Sequence, residues 1–493
     1  MLNPSALNVQ SEPKTEALTP RSNNSEKDST MPISGRSLTR TICLALIAFI
    51  IAFFWANPKA YSYLRYGPTV INGLGAKLLC SGVFVAGRDA EEVFTQDVLT
   101  SHALAHYSSF DVNRQTEEAE VSSFGLFSQK AKYNPDFGCS LYHHEAPTFN
   151  APTITEQVGF QWPEDTPSED IQNILDSIIK ENEQKPHIDT RALLVAHQGK
   201  IIAEAYAPGY QQDSQFLSWS MAKSVTSSLV GIWLEEHGQN IDQAPGFAEW
   251  QNDDRKNIHL RHLLNMASGL AFDESYEPGD NATRMLFFED NMARYARTAA
   301  AEVEAAPGDK FVYSSGTTNI LSGWLFDKLG GSENYYRFAQ EKLFLPSGIQ
   351  SAVFEPDASG SFVGSSYLYM TAREWAKFGQ LYLQRGKLNG QQIIPEHWVD
   401  FAKAPIDAAP KGEYGGQFWL NAGAKDDRSK RMFKDLPTDL YLASGHNGQY
   451  VVIIPSRELV MVRLGWSNGE RFDLNGHFAN ILSALDKNEI AAK

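Results

Sequence analysis

Cysteine is scarce: three residues in 493, none in C-x-x-C spacing, so a cysteine-held metal or redox site has no support. No H-E-x-x-H occurs, which removes the commonest zinc-protease pattern. No G-x-S-x-G elbow occurs either, which argues against an α/β-hydrolase. Positive charge is in deficit, with 43 Lys and Arg against 59 Asp and Glu, a formal net charge of −16, and no long basic block. Nucleic acid is therefore not an expected partner, because binding it needs a concentrated cationic face that displaces counterions. His143 and His144 are adjacent and point to different sides of any regular element. With no third ligand near them, neither a metal nor a cofactor is expected. There is no internal repeat.

What is present is a globular composition, 42% hydrophobic and 12% aromatic, long enough for one large core or two ordinary ones. Residues 1–35 stand apart. They are rich in Ser, Thr, Asn, Pro and Glu without hydrophobic periodicity, and read as a disordered tail. Within 36–58, the run T-I-C-L-A-L-I-A-F-I-I-A-F-F-W-A at 41–56 carries no charge. It lies near the lower length limit for crossing a bilayer. A cleaved signal would end in small residues, whereas this run ends in Phe53, Phe54 and Trp55, which suit a membrane interface. A single-pass anchor, or an uncleaved signal, is expected, with the inner membrane as location. The flanking charges, Arg36 and Arg40 against Lys59 and Arg65, leave its orientation nearly balanced. Cys80 and Cys139 form an even pair beyond the run and suggest a disulfide on a non-cytoplasmic, periplasmic side; two separate buried thiols are the alternative.

Residues 60–150 form an accessory segment without a catalytic constellation, and the Pro- and Thr-rich stretch up to 167 reads as a linker or wrapping loop. From 168 to 493 a single domain is expected. A helix (D-I-Q-N-I-L-D-S-I-I-K) precedes two strands around a Gln-Gly turn, and a second helix runs from Ser220 to His237, ended by Gly238. The middle, roughly 255–400, reads as helical. Strand patterns return in Y-G-G-Q-F-W-L-N-A, L-Y-L-A-S-G-H and a hairpin punctuated at Pro455, and an amphipathic helix ends the chain. Strands at both ends with helices between are satisfied most simply by one α/β (α+β) domain whose antiparallel sheet draws on both termini.

The chemistry-bearing element is L-S-W-S-M-A-K-S-V. On a helix, Ser220 and Lys223 at i and i+3 share a face, and the first turn favours negative charge on the serine oxygen. A serine hydroxyl is a weak nucleophile that needs a neighbouring base, and a lysine serves when burial depresses its pKa. Some 90 residues on, Tyr313-Ser314-Ser315 precedes another apolar helix, and S-G-H-N-G-Q precedes a strand near the end. A phenol near an ammonium is expected to have a lowered pKa, so Tyr313 can accept and return the serine proton. The Gly-rich edge at Gly448 and Gln449 leaves backbone N–H groups free to face an oxyanion.

These three elements, in this order, resemble the serine β-lactamase and penicillin-binding family, whose signature is S-x-x-K, then Y-x-N or S-x-N, then K-T-G. The likeness spans about 168–485. I-H-L-R-H-L-L-N-M-A-S-G-L at 258–270 resembles that family's helix beneath the active site, and F-D-E-S-Y resembles its 6-aminohexanoate-dimer hydrolase and esterase branch. The resemblance implies a β-lactamase/transpeptidase-like fold and an acyl-enzyme on Ser220, with Lys223 and Tyr313 moving its proton. It implies an oxyanion hole from the Ser220 and Gln449 backbone, and substrate contacts from Tyr276, Ser315, His446, Asn447 and Gly448. Two departures narrow the substrate. Ser315 stands where the motif has Asn, and His446 stands where it has Lys, so the fixed charge for a β-lactam carboxylate is missing. A small-molecule ester or amide is expected. The alternatives are a sensor that acylates without turnover, or a true β-lactamase or D-Ala carboxypeptidase. The oligomeric state is left open.

Overall fold

A computed structural model of the chain describes residues 35–155, 157–299 and 303–491; the tail expected over 1–35 lies, but for its last residue, outside them. The chain divides into two units, Met1–Pro58 and Lys59–Lys493. Within the first, helix α1 (Gly35–Ala56) carries the apolar run with its side chains exposed, Leu44, Phe49 and Trp55 among them. Among the described residues no single helix is long and apolar enough to cross a membrane.

The second unit is built on a six-stranded antiparallel sheet. Strands β5 (Thr190–His197) and β6 (Lys200–Tyr206) come from the start of the domain expected over 168–493. Strands β7 (Trp419–Leu420), β8 (Tyr441–Gly445), β9 (Gln449–Ile454) and β10 (Leu459–Gly465) come from its end. The spatial order is β7-β8-β9-β10-β5-β6, so the first and last portions of the domain meet where β10 pairs with β5. This is the sheet built from both ends that the strand patterns predict. The Gln198-Gly199 turn between β5 and β6 takes two left-handed conformations, φ 51° and 75°, which matches the twist of a two-residue hairpin. The strand expected over 414–422 shrinks to the two residues of β7, and Tyr414 makes only an isolated bridge to Trp419.

Period-2 alternation sorts the sheet residues into two cores. Leu193 and Val195 face one side with Met461 and Val452, covered by α3 (Glu169–Lys180) and the C-terminal helix α8 (Leu474–Ala491). Ile171, Leu175 and Ile178 make the apolar stripe of α3, and its acidic first turn and Lys180 complement the helix dipole. Leu194, Val451 and Val460 face the other side, in one core with α4 (Ala222–Glu236), α5 (Asn281–Phe288), α6 (Ser315–Leu329) and α7 (Ala372–Leu383). Thr371 and Glu374 close a capping box on α7.

Residues 60–150 are not a separate body. They contribute helix α2 (Pro58–Phe84) and a meander of β1 (Ser108–Asn113), β2 (Glu118–Ser123), β3 (Phe127–Asn134) and β4 (Gly138–Tyr142). Val70, Leu79 and Val121 join the same apolar core as α4 and α6. Cys80 on α2 and Cys139 on β4 form a disulfide, and Cys43 is free and exposed. Beside the disulfide, buried Glu355 accepts from Lys77, from Ser81 Oγ (2.8 Å) and from the Cys139 amide (2.7 Å). The stretch expected as a wrapping loop does wrap: Phe160 is buried with its amide on the Pro346 carbonyl, and Thr166 and Ser168 extend along β6.

Candidate active site

Ser220 sits in a single 3₁₀ turn (Trp219–Met221) that opens directly into α4. Trp219 takes a left-handed φ of 47°, an unfavourable conformation for a bulky residue, and the Ser218 amide anchors the turn on the Leu368 carbonyl at 2.9 Å. Ser220 is half-buried at the helix N-terminus, whereas Lys223, one turn further, is 1% exposed. The three ammonium donors of Lys223 find Ser220 Oγ at 3.1 Å, Ser315 Oγ at 3.0 Å and the Ser365 carbonyl at 3.0 Å. Burial pulls its pKa down to about 8, opposed by the charge of Glu274.

Tyr313 completes the set from the other side. Its ring stacks on Trp419 (5.2 Å between centroids) and lies 5.0 Å from the Lys223 ammonium, with its hydroxyl hydrogen-bonded to Ser220. The lowered phenol pKa expected from the sequence is not found. Burial drives the group upward, and the bond to Ser220 only partly offsets this. Tyr313 therefore stands as a neutral phenol beside the serine, suited to relaying a proton rather than holding a negative charge.

Ser315, expected to touch substrate, is instead enclosed. It is 1% exposed and donates to Glu274 Oε1 at 2.8 Å while accepting from Lys223. The Ser315 amide also binds Glu274, and Tyr276 Oη donates to it at 2.6 Å. A chain Tyr276–Glu274–Ser315–Lys223–Ser220 results. Glu274 is the member that sequence reasoning missed, although it stands two residues before Tyr276 in the F-D-E-S-Y stretch. Tyr276 itself turns through a left-handed φ of 60°, held by its amide on Asp280 Oδ2 (2.6 Å). Its ring stacks with His446 at 6.0 Å, and the Trp219 ring meets His446 edge-on at 5.7 Å. Desolvation among these rings lowers the His446 pKa, which favours the neutral imidazole, although one edge of the side chain stays exposed.

The H-N-G-Q element differs from expectation. It is a three-residue loop between β8 and β9 rather than a strand edge, because Asn447 (φ 58°) and Gly448 (φ 81°) take left-handed turn conformations. Gly448 does not reach the nucleophile; a Cβ there would lie 2.5 Å from Arg463 Nη1. Gln449 props the loop from below, donating to the His446 and Asn447 carbonyls at 3.1 and 3.3 Å and accepting from the Gly465 amide. Arg463, fully buried, donates to five uncharged oxygens: the Asn447, Gly448 and Ile188 carbonyls, Thr190 Oγ1 and Ser467 Oγ. Burial lowers its pKa to about 10. The approach to the nucleophile is made earlier, by Gly445 at the end of β8, where a Cβ would stand 2.1 Å from the Ser218 carbonyl. Only glycine allows that contact.

Ser220, Trp219, Tyr276, His446 and Asn447 line a common cavity of about 170 Å³. Among the described residues no group of three or more His, Cys, Asp or Glu is placed to hold a metal ion.

A model of the Beta-lactamase family matches residues 175–486. The chain is 21% identical over 318 residues to a 6-aminohexanoate-dimer hydrolase of Paenarthrobacter ureafaciens, covering 59% of this chain and 77% of that protein. Among solved structures, one provisionally assigned as a 6-aminohexanoate-dimer hydrolase, from Bacillus anthracis, superposes with a TM-score of 0.56 at 21% identity, over 69% of this chain and 91% of that one. EstCE1, a hydrolase with promiscuous acyltransferase activity, superposes with a TM-score of 0.50 at 16% identity, over 64% and 98%.

Proposed function

Because the chain belongs to the β-lactamase family, we propose that it is a serine hydrolase that cleaves an ester or amide through an acyl-enzyme on Ser220. The observation that carries this is the buried Lys223 amine, 3.1 Å from Ser220 Oγ with its pKa brought down to about 8. Ser220 Oγ bonds to the substrate carbonyl carbon as its proton passes to Lys223. The tetrahedral oxyanion is held by the Ser220 N–H, at the positive end of α4, and by the N–H of His446 rather than the expected Gln449, because Gly445 meets the nucleophile turn while Gln449 lies beneath the loop. Collapse breaks the bond to the leaving group, which takes the proton relayed by Tyr313. Water then adds to the acyl carbon by the reverse relay and frees Ser220.

Neutral His446 offers no fixed cation for a substrate carboxylate, which favours uncharged esters or amides over β-lactams. The relatives named above include an amide hydrolase and a hydrolase with acyltransferase activity, in keeping with that range. The exposed apolar helix α1 supports attachment to the inner membrane, and the Cys80–Cys139 bridge supports a periplasmic catalytic unit.

A fluorophosphonate probe is expected to label wild type but not Ser220→Ala, and the variant loses p-nitrophenyl ester hydrolysis. Tyr313→Phe is expected to slow acylation by roughly a hundredfold or more, the scale of a lost proton relay. Wild-type turnover by Ser220→Ala would overturn the assignment.

A further inference from the structure

The cavity beside Ser220 has walls of two origins. Trp219, Phe287 and His446 belong to the family-matched region, but Val70, Ile71 and Leu74 come from α2, which precedes it. Thr100 to His102, also ahead of the matched region, form a second part of this wall. Their position is fixed: Thr100 Oγ1 accepts from the Trp466 indole at 3.0 Å, and the Asn468 carboxamide binds the Thr100 carbonyl. Helix α2 can approach only because residue 73 is glycine, since a Cβ there would lie 1.9 Å from the Phe287 carbonyl.

Among the described residues no Lys, Arg, Asp or Glu lines this cavity. Its two imidazoles, His102 and His446, are both shifted toward the neutral form by desolvation. A charged group placed there would lose much of its hydration and gain only neutral polar partners such as Ser101, Asn447 and Asn468, with no opposite charge in the lining. Aliphatic and aromatic groups lose nothing and bury area. The volume, about 170 Å³, is close to the roughly 150 Å³ of an apolar cavity that holds one benzene ring. The cavity touches Ser220 but neither Tyr313 nor Lys223. The leaving group must stand against Tyr313 to receive its proton, so the part of the substrate in this cavity is the acyl part.

We infer that this enzyme selects uncharged, apolar acyl groups of about six carbons, measured by a pocket that α2 closes over the nucleophile. The inference rests on Ser220 being the acylated residue. A hydrophobic pocket of this kind discriminates by about 1 to 3 kcal/mol per misfit, or roughly 10- to 200-fold.

The test measures kcat/KM of the full-length chain on p-nitrophenyl acetate, butanoate, hexanoate, octanoate and dodecanoate, and on the 6-aminohexanoate ester as a charged match for hexanoate. The optimum is expected at hexanoate or octanoate, at least tenfold above acetate, and hexanoate is expected to exceed 6-aminohexanoate at least tenfold. Leu74→Trp should move the optimum to shorter chains and Leu74→Ala to longer ones; opposite shifts cannot come from misfolding. A flat profile, a preference for the charged ester, or an optimum unmoved in both variants overturns the inference. If Ser220 is labelled by fluorophosphonate while the profile is flat, only the pocket assignment falls. If there is neither labelling nor turnover, the hydrolase assignment falls with it.

Discussion

At the scale of single residues, the site works by setting one amine against its surroundings. Lys223 has lost its water on burial, which lowers its pKa to about 8, while Glu274, reached through Ser315, pulls the other way. The amine is a base only when unprotonated, so kcat/KM on a neutral ester should rise as pH climbs through about 8 and level off above it. In Glu274→Gln the charge that favours the ammonium is gone, so burial acts unopposed and the rising limb should move to lower pH. A limb that stays or moves to higher pH, measured on the same ester, would exclude this role for Glu274. Ser220, Lys223 and Tyr313 were legible in the sequence because helical spacing and motif order carry them. Glu274 was not, since its importance comes from a contact across 41 residues to Ser315. The Tyr313 pKa was misjudged for a similar reason: a neighbouring cation can be guessed from sequence, but the depth of burial that outweighs it cannot.

At the scale of elements, two decisions made outside the catalytic motifs shape the site. One is the H-N-G loop, where Asn-Gly turn chemistry overrode its expected use as a strand edge and left Gly445 to meet the nucleophile turn. The other is the seating of α2. Lys77 and Glu355 are both buried, and each is pushed toward its neutral form by desolvation while the partner's charge opposes this. Breaking such a pair strands one charge, so Glu355→Gln should destabilise the catalytic unit by about 3 kcal/mol. Equilibrium denaturation with urea reads this directly, and an unchanged midpoint would show that the pair does not hold α2. The sequence marks 60–150 only as an accessory segment, and neither the helix α2 nor its partner can be read from it, because Glu355 lies 278 residues away.

At the scale of the whole molecule, the chain joins an exposed apolar helix to one large compact unit. All the site residues, the disulfide and both cores lie beyond Lys59. A chain starting at Lys59 should therefore remain soluble and hydrolyse the same esters within about twofold of full length, whereas the full-length protein should sediment with membranes and leave them only in detergent. Full-length protein recovered in the soluble fraction would refute the membrane attachment.

What the sequence determined by itself was local and periodic. Helical spacing set Ser220 beside Lys223, strand alternation and turn residues set the hairpins, and the sites of both ends of the sheet followed from where apolar strands recur. Tertiary structure alone decided burial and long-range company. It placed Glu274 behind Ser315 and Arg463 beneath the loop, lowered the pKa of Lys223 and raised that of Tyr313, and brought α2 to the cavity that Ser220 lines. Desolvation and packing are properties of the assembled interior, and no short stretch of sequence contains them.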